Sequence, residues 1–84
     1  MAKRLFVGNI SWKAQTVDLR ELFERYGEVS DAIVLEERDT GRSKGFGFVE
    51  FAEDDAADAA ITALDGEDFM GRDLVVNEAR PKEN

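Results

Sequence analysis

The segment KGFGFVEF, residues 44–51, constrains the fold of this 84-residue chain more than any other stretch. Side chains alternate between the two faces of a strand, so Phe46 and Phe48 point one way while Val49 and Phe51 point the other. Helices that pack on a sheet need apolar residues beneath them, which assigns Val49 and Phe51 to the core. The segment therefore predicts a strand with one buried face and one open face that carries two aromatic rings.

Hydrophobic periodicity and turn signals predict four strands and two helices. The strands are expected over residues 4–8, 29–35, 45–51 and 72–78, and the helices over about 17–26 and from Asp54 or Asp55 to Gly66. Thr16 is the expected N-cap of the first helix, and Asp54 or Asp55 that of the second. Each helix carries an apolar stripe, formed by Leu19, Leu22, Phe23 and Tyr26 in the first and by Ala57, Ala60, Ile61 and Leu64 in the second.

The order βαββαβ is typical of the ferredoxin-like α+β fold, a four-stranded antiparallel sheet with two helices on one face. Right-handed crossovers place the first and third strands in the middle of the sheet. Leu5 and Val7 then belong to the core, so Phe6 points to the open face beside the two outward rings of the third strand. Gly47 faces the helices, where the missing side chain is expected to allow a close approach.

Composition excludes several classes of function. Because the chain has no cysteine and no histidine, we expect no disulfide, no metal site, no cofactor and no catalysis. No apolar run approaches the roughly 18 residues of a membrane span. We therefore expect one domain over residues 1–84, ordered over about 3–80, with no membrane partner and a monomer as the default. It is expected in the cytoplasm if bacterial, or in the nucleus if it is a fragment of a eukaryotic protein.

Charge is distributed unevenly along the chain, whose formal net charge is −8. Between Glu53 and Asp68 there are seven acidic residues and no basic one. The total argues against a wide basic footprint on nucleic acid, although it permits a local one. The acidic run is interpreted as a solvated helix face, and the alternative is a protein partner bound on this acidic helical face.

The three rings on the open face form an apolar patch of the kind that marks a binding surface. Flat rings flanked by cations suit unstacked bases with their phosphates, and each stacked base contributes about 1–3 kcal/mol. Lys44 begins the third strand and Arg42 precedes it, so both can reach a phosphate. These features predict a single-stranded nucleic acid as the ligand, bound without chemistry.

The chain resembles the RNA recognition motif family over essentially its whole length. KGFGFVEF fits the longer signature of that family at all its positions, and LFVGNI, residues 5–10, resembles the shorter one. The resemblance implies that Phe6 and Phe48 stack bases, that Phe46 lies against the sugars of two nucleotides and that Lys44 pairs with a phosphate. It also implies RNA contacts at other outward or terminal positions, namely Arg4, Asn9, Ile33, Leu35, Asn77, Ala79 and Arg80. Within the family the chain is similar to the small bacterial members with a single domain.

Some interpretations stay open. Single-stranded DNA is the alternative to RNA, because stacking alone cannot read the 2′-hydroxyl. Trp12 is expected to pack over the helix ends, with base stacking as the alternative. Asp31, Glu50 and Glu78 add negative charge on or near the sheet face, which predicts few phosphate contacts and a modest affinity.

Overall fold

The chain folds into a four-stranded antiparallel sheet with two helices packed on one face. A computed structural model describes residues 2–36 and 43–79, and of Glu36, Ser43 and Lys44 it describes the backbone. The elements in chain order are β1 (Lys3–Gly8), α1 (Thr16–Glu24), β2 (Val29–Glu36), β3 (Ser43–Phe51), α2 (Asp54–Leu64), β4 (Asp68–Phe69), β5 (Arg72–Asp73) and β6 (Val75–Glu78). The sheet order is β2-β3-β1-β6, while β4 and β5 form a separate two-stranded hairpin. The predicted ferredoxin-like α+β fold is confirmed.

The side chains of the two central strands, β1 and β3, point to the predicted faces of the sheet. In the antiparallel register of β1 and β3, Leu5 lies opposite Val49 and Phe6 lies opposite Phe48. The residues assigned to the helical side are fully buried, namely Leu5, Val7, Val49 and Phe51. Phe6 and Phe48 are therefore on the face that the helices leave open.

The helices close the core with the predicted stripes. In α1, Leu19 and Phe23 are buried, and Leu22 packs against them with part of its surface exposed. In α2, the small side chains of Ala57 and Ala60 are completely buried. Alanines bring the helix close to the sheet, so the core is thin on this side. None of the described helices is long and apolar enough to cross a membrane.

Both helix starts differ from the prediction. The N-cap of α1 is Gln15, whose backbone N–H donates a 2.9 Å hydrogen bond to the Asp18 carboxylate. Thr16 is instead the first helical residue, and α1 ends at Glu24, earlier than predicted. The N-cap of α2 is Glu53, so neither of the two predicted aspartates occupies that position.

Thr16 has a different structural role, because its side chain joins α1 to β2. The Val34 backbone N–H donates a 3.0 Å hydrogen bond to Thr16 Oγ1. The bond lies beside an irregularity in the pairing of β2 with β3, between Val34 and Glu36. The Thr16 hydroxyl, which could have capped α1, thus accepts a hydrogen bond from a backbone N–H of β2. This N–H lies near the point where the pairing of β2 with β3 is interrupted, and the bond gives it a partner.

The close approach at Gly47 comes from a strand and not from a helix. Gly47 is buried, and a Cβ atom there would collide with the carbonyl oxygen of Ile33 and lie 3.0 Å from Val34 Cα. The backbone of β2 therefore occupies the space that a side chain would need. The expectation of a close contact was correct, but its assignment to the helices was wrong.

The predicted fourth strand over residues 72–78 is divided. Arg72–Asp73 pairs with Asp68–Phe69, and only Val75–Glu78 joins the sheet beside β1. Leu74 separates the two parts because its side chain is buried and its backbone bonds to the turn after α2. Its N–H donates to the Glu67 carbonyl at 2.9 Å and its carbonyl accepts from the Gly66 N–H at 2.7 Å.

We predict that Thr16→Val lowers the free energy of unfolding by about 1–3 kcal/mol, because the partly buried Val34 N–H loses its acceptor. Valine keeps the shape and the branching of threonine, so the change removes only the hydroxyl. Thr16→Ser keeps the acceptor and is the matched control, with a smaller loss. Urea denaturation followed by circular dichroism measures both, and equal stability of Thr16→Val and wild type would contradict the assigned bond.

Candidate nucleic-acid interface

Three phenylalanine rings are clustered on the open face of the sheet. The Phe6 and Phe46 ring centroids are 6.0 Å apart with planes tilted by 30°. The Phe6 and Phe48 centroids are 5.9 Å apart in an edge-to-face arrangement at 69°. Both distances lie in the range in which aromatic pairs attract each other. We call Phe6, Phe46 and Phe48 the aromatic platform, and each of its rings is half-buried.

Gly8 makes room for the central ring of the aromatic platform. It lies on the same face as Phe6, yet it is buried, and a Cβ atom on it would be 2.9 Å from Phe6 Cε2. The Phe6 ring therefore leans along β1 and covers Gly8. Nothing in the sequence around Gly8 indicates this contact with the ring.

Other side chains extend the apolar surface across all four strands of the sheet. Ile33 is opposite Phe48 and 45% exposed, and Val75 is opposite Gly8 and 41% exposed. The half-buried Leu35 lies further along β2. Val75 was not among the predicted site residues. Because Val75 and Val76 are adjacent and both apolar, the sequence does not show which of them faces the core, and the structure shows that Val76 does.

The C-terminal strand contributes polar groups at the edge of the face. Asn77 is exposed and lies opposite Phe6. Ala79 is half-buried, and its N–H donates a 2.9 Å hydrogen bond to the Arg4 carbonyl, which keeps the end of β6 against β1. Both predicted residues therefore lie beside the central strand of the open face.

Arg4 is on the open face, but its charge is shared with carboxylates. Its guanidinium carbon is 5.9 Å from the centroid of the Phe48 ring, within the range of a cation–π contact. Its Nη2 is 3.8 Å from a Glu50 oxygen and 4.0 Å from an Asp31 oxygen. The Ser30 hydroxyl donates a 3.0 Å hydrogen bond to the other Glu50 oxygen. The positive charge of Arg4, which lies against the Phe48 ring, is thus partly neutralised.

Asn9 directly follows β1 and has a left-handed backbone conformation, with a φ of 55°. Its Nδ2 donates a 2.6 Å hydrogen bond to the Asp73 carbonyl, and its Oδ1 accepts a 2.8 Å hydrogen bond from Arg72 Nη2. Both ends of the amide are therefore engaged by β5. The side chain predicted to lie near a base is held by the protein, while the sequence offered no sign of its partners.

Some predicted contacts lie outside the described residues, namely Arg42, Arg80 and the side chain of Lys44. Trp12 is 60% exposed, and its packing over the helix ends stays a prediction. In the part of the chain that the structure describes, no group of His, Cys, Asp or Glu could hold a metal ion.

A separate ion cluster on the helical side of the sheet joins β1 to α2 and β6. Lys3 Nζ is 2.8 Å from Asp58 of α2 and 3.7 Å from Glu78 of β6. The hydrogen bond with Asp58 raises the pKa of Lys3, and the negative charge of Glu78 acts in the same direction. Glu78, which we expected to add charge near the open face, is therefore directed towards Lys3 and α2.

We predict that Gly8→Ala displaces the Phe6 ring, since the added methyl group would contact it at 2.9 Å. The aromatic proton shifts of Phe6 in NMR spectra are expected to change strongly. The Phe23 and Phe51 rings, 6.1 Å apart in the core, are the internal control and are expected to keep their shifts. An unchanged Phe6 spectrum would contradict the contact between this ring and Gly8.

Comparison with known proteins relates the whole chain to one family. The sequence pattern of the RNA recognition motif matches residues 5–75. A Nostoc sp. protein described as RNA-binding, RbpD, is 50% identical over 80 residues, which cover 95% of this chain and 85% of that protein. Glycine-rich RNA-binding protein 2 of Arabidopsis thaliana, a mitochondrial protein, is 45% identical over 82 residues, which cover 98% of this chain and 52% of that protein.

A solved structure agrees with this relationship. The crystal structure of an RNA-binding protein named PG1 has a TM-score of 0.90 and 40% sequence identity, covering 98% of this chain and 99% of that one. The predicted likeness to small bacterial members is confirmed by the similarity to the Nostoc protein, most of whose length is matched.

Proposed function

Because the chain belongs to the RNA recognition motif family, we propose that it binds single-stranded RNA on the open face of its sheet. The observation that carries this proposal is the aromatic platform, in which Phe6 contacts both Phe46 and Phe48 on a face that neither α1 nor α2 covers. Such rings offer stacking surfaces to bases of any sequence, because every base has a π-face. The names of the similar proteins, which describe RNA binding, support the same ligand.

The proposed roles follow the position of each ring. Phe6 and Phe48 stack one base each, and Phe46 lies against the sugars between them. Each stacked base contributes about 1–3 kcal/mol, so stacking is the largest part of the binding free energy. Leu35, Ile33 and Asn77 extend the surface sideways, while Asn9 and Ala79 provide backbone groups for base edges.

Phosphate contacts are proposed to be few. The candidates are Lys44, Arg42 and Arg80, with Arg4 in a lesser role because Asp31 and Glu50 share its charge. With three or four contacts, and about 0.7 for each contact on a single strand, the salt slope is about 2–3. The net charge of −8 acts in the same direction, so the affinity is modest and decreases with added salt.

The proposed activity is binding without a chemical step. The family is one of binding modules, and the platform consists of apolar rings that neither donate nor accept protons. We propose a monomer in the cytoplasm, with RNA preferred over single-stranded DNA. A contact with the 2′-hydroxyl is the feature that this preference requires.

The acidic helical face is the second candidate site, for a basic segment of a partner protein. All seven acidic residues between Glu53 and Asp68 are exposed. Part of this charge serves the fold, since Asp58 pairs with Lys3 and Asp65 accepts a 3.0 Å hydrogen bond from the Val76 N–H. The aromatic platform is the better defined surface, so RNA binding is the leading function.

The test uses the RNA oligonucleotide that the protein selects from a random single-stranded pool. We predict that Phe6→Ala and Phe48→Ala each lower its affinity by about 1–3 kcal/mol, since each substitution removes one stacking surface. Isothermal titration calorimetry at low salt measures the affinity. The DNA oligonucleotide of the same sequence, titrated in parallel, measures the preference for RNA.

Phe6→Leu and Phe48→Leu are the matched variants, because leucine keeps an apolar side chain but has no π-face. They are expected to lose affinity nearly as strongly as the alanine variants while folding like the wild type. If the leucine variants bind like wild type, the rings act as general apolar surface and not by stacking. If wild-type protein binds neither oligonucleotide at low salt, the proposal is wrong.

A further inference from the structure

Arg72 is an exposed cation bonded to Asn9, the residue that directly follows β1. It lies in β5, and its Nη2 donates a 2.8 Å hydrogen bond to Asn9 Oδ1. Among the described residues it forms no ion pair, and its polar partner is the neutral amide of Asn9. Its full charge and its remaining N–H donors are therefore available to an external anion.

The described cations of β1 and α1 each have a carboxylate nearby. Lys3 pairs with Asp58, Arg4 lies near Asp31 and Glu50, and Arg20 pairs with Glu24. Of the described cations, Lys13, Arg25 and Arg72 have no carboxylate partner within 4.0 Å. Arg25 caps the C-terminal end of α1, so it belongs to the helical side. Arg72 is the one of these three that is bonded to the end of β1.

The bond to Asn9 places Arg72 beside the residue that directly follows the strand of Phe6. Asn9 directly follows Gly8, and Gly8 lies opposite Phe46 on one side and opposite Val75 on the other. The guanidinium is therefore bonded to the residue that continues the strand of Phe6.

Asn9 orients the Arg72 guanidinium through hydrogen bonds at both the nitrogen and the oxygen of its side-chain amide. The left-handed backbone at Asn9, with a φ of 55°, turns the amide towards β5. The 2.6 Å bond from Nδ2 to the Asp73 carbonyl fixes which end of the amide faces Arg72. An oxygen is thereby presented to the guanidinium, so the arginine is held in place without losing its charge.

We propose that Arg72, positioned by Asn9, binds a phosphate of the RNA strand that lies on the aromatic platform. The inference rests on the proposed function and adds a cationic contact on the side of the platform opposite to β2. A guanidinium binds two phosphate oxygens at once through its planar N–H donors, which a fixed orientation favours. Asn9 is then a positioning residue, acting through Arg72.

The test compares Arg72→Gln with Arg25→Gln, which removes the same charge from the helical side. Affinity for the selected RNA oligonucleotide is measured over a range of salt concentrations. Arg72→Gln is expected to reduce the slope of log affinity against log salt by about 0.7, and the affinity by about fivefold at roughly 0.1 M salt. Arg25→Gln is expected to keep the wild-type slope. Arg72→Lys keeps the charge and is expected to retain most of the slope.

Asn9→Asp tests the positioning role, because aspartate tolerates the left-handed backbone and places a carboxylate beside Arg72. The carboxylate neutralises the guanidinium, so the slope is expected to fall by the same amount as in Arg72→Gln. In the double variant, no further decrease in slope is expected. Thermal unfolding of each variant verifies that it is folded.

The outcomes separate this inference from the proposed function. If Arg72→Gln keeps the wild-type slope and affinity while Phe48→Ala loses binding, the protein binds RNA but Arg72 does not contact it. If Arg25→Gln changes the slope as much as Arg72→Gln, the effect is one of total charge and the inference is wrong. If the wild-type protein does not bind the RNA, the proposed function itself fails.

Discussion

The antiparallel pairing of β1 with β3 is the constraint on which the rest of the molecule depends. It places Leu5 opposite Val49 on one face and Phe6 opposite Phe48 on the other. A slip by one residue would exchange the two faces, exposing the core and placing Glu50 beneath the helices. The cost of such a slip is the burial of a charge together with the loss of several fully buried apolar side chains. One register therefore determines both the stability of the domain and the location of its aromatic surface.

On the open face of the sheet, the positive charge of Arg4 is offset by neighbouring carboxylates. Arg4 is close to two carboxylates, so the middle of the face has little net positive potential. Exposed ion pairs of this kind contribute little to stability, but they lower the attraction of a nearby cation for a phosphate. In the proposed complex with RNA, binding at the centre of the sheet would therefore depend on ring contacts, with cationic contacts at its margins. This arrangement suits a ligand that has both flat apolar groups and a charged backbone.

Much of the fold could be predicted from the sequence because its signals are periodic. The alternation in KGFGFVEF was enough to place Phe46 and Phe48 on the open face, and the stripe of Leu19 and Phe23 was enough to place α1. Where a side chain could form either of two hydrogen bonds, the sequence did not show which of the two it forms. Thr16 had the chemistry of an N-cap, but the Val34 N–H competes for its hydroxyl.

The parts of the site that escaped prediction depend on contacts between distant residues. Arg72 and Asn9 are separated by 63 positions, and no pattern in either segment indicates that they meet. The contact of Gly8 with the Phe6 ring depends on the direction in which the ring leans, which the alternation of side chains does not specify. Predicting which face a residue occupies was therefore easier than predicting what it touches there.

The contacts of the Phe6 ring with the other two rings of the platform have an energetic consequence. Phe6 is in contact with Phe46 on one side and Phe48 on another, and each of them is half-buried before any ligand arrives. Their rotamers are thus already restricted in the free protein, so a ligand need not immobilise them. Preorganisation of this kind lowers the entropy lost on association. In the proposed complex with RNA, more of the intrinsic free energy of each ring contact would then remain as affinity.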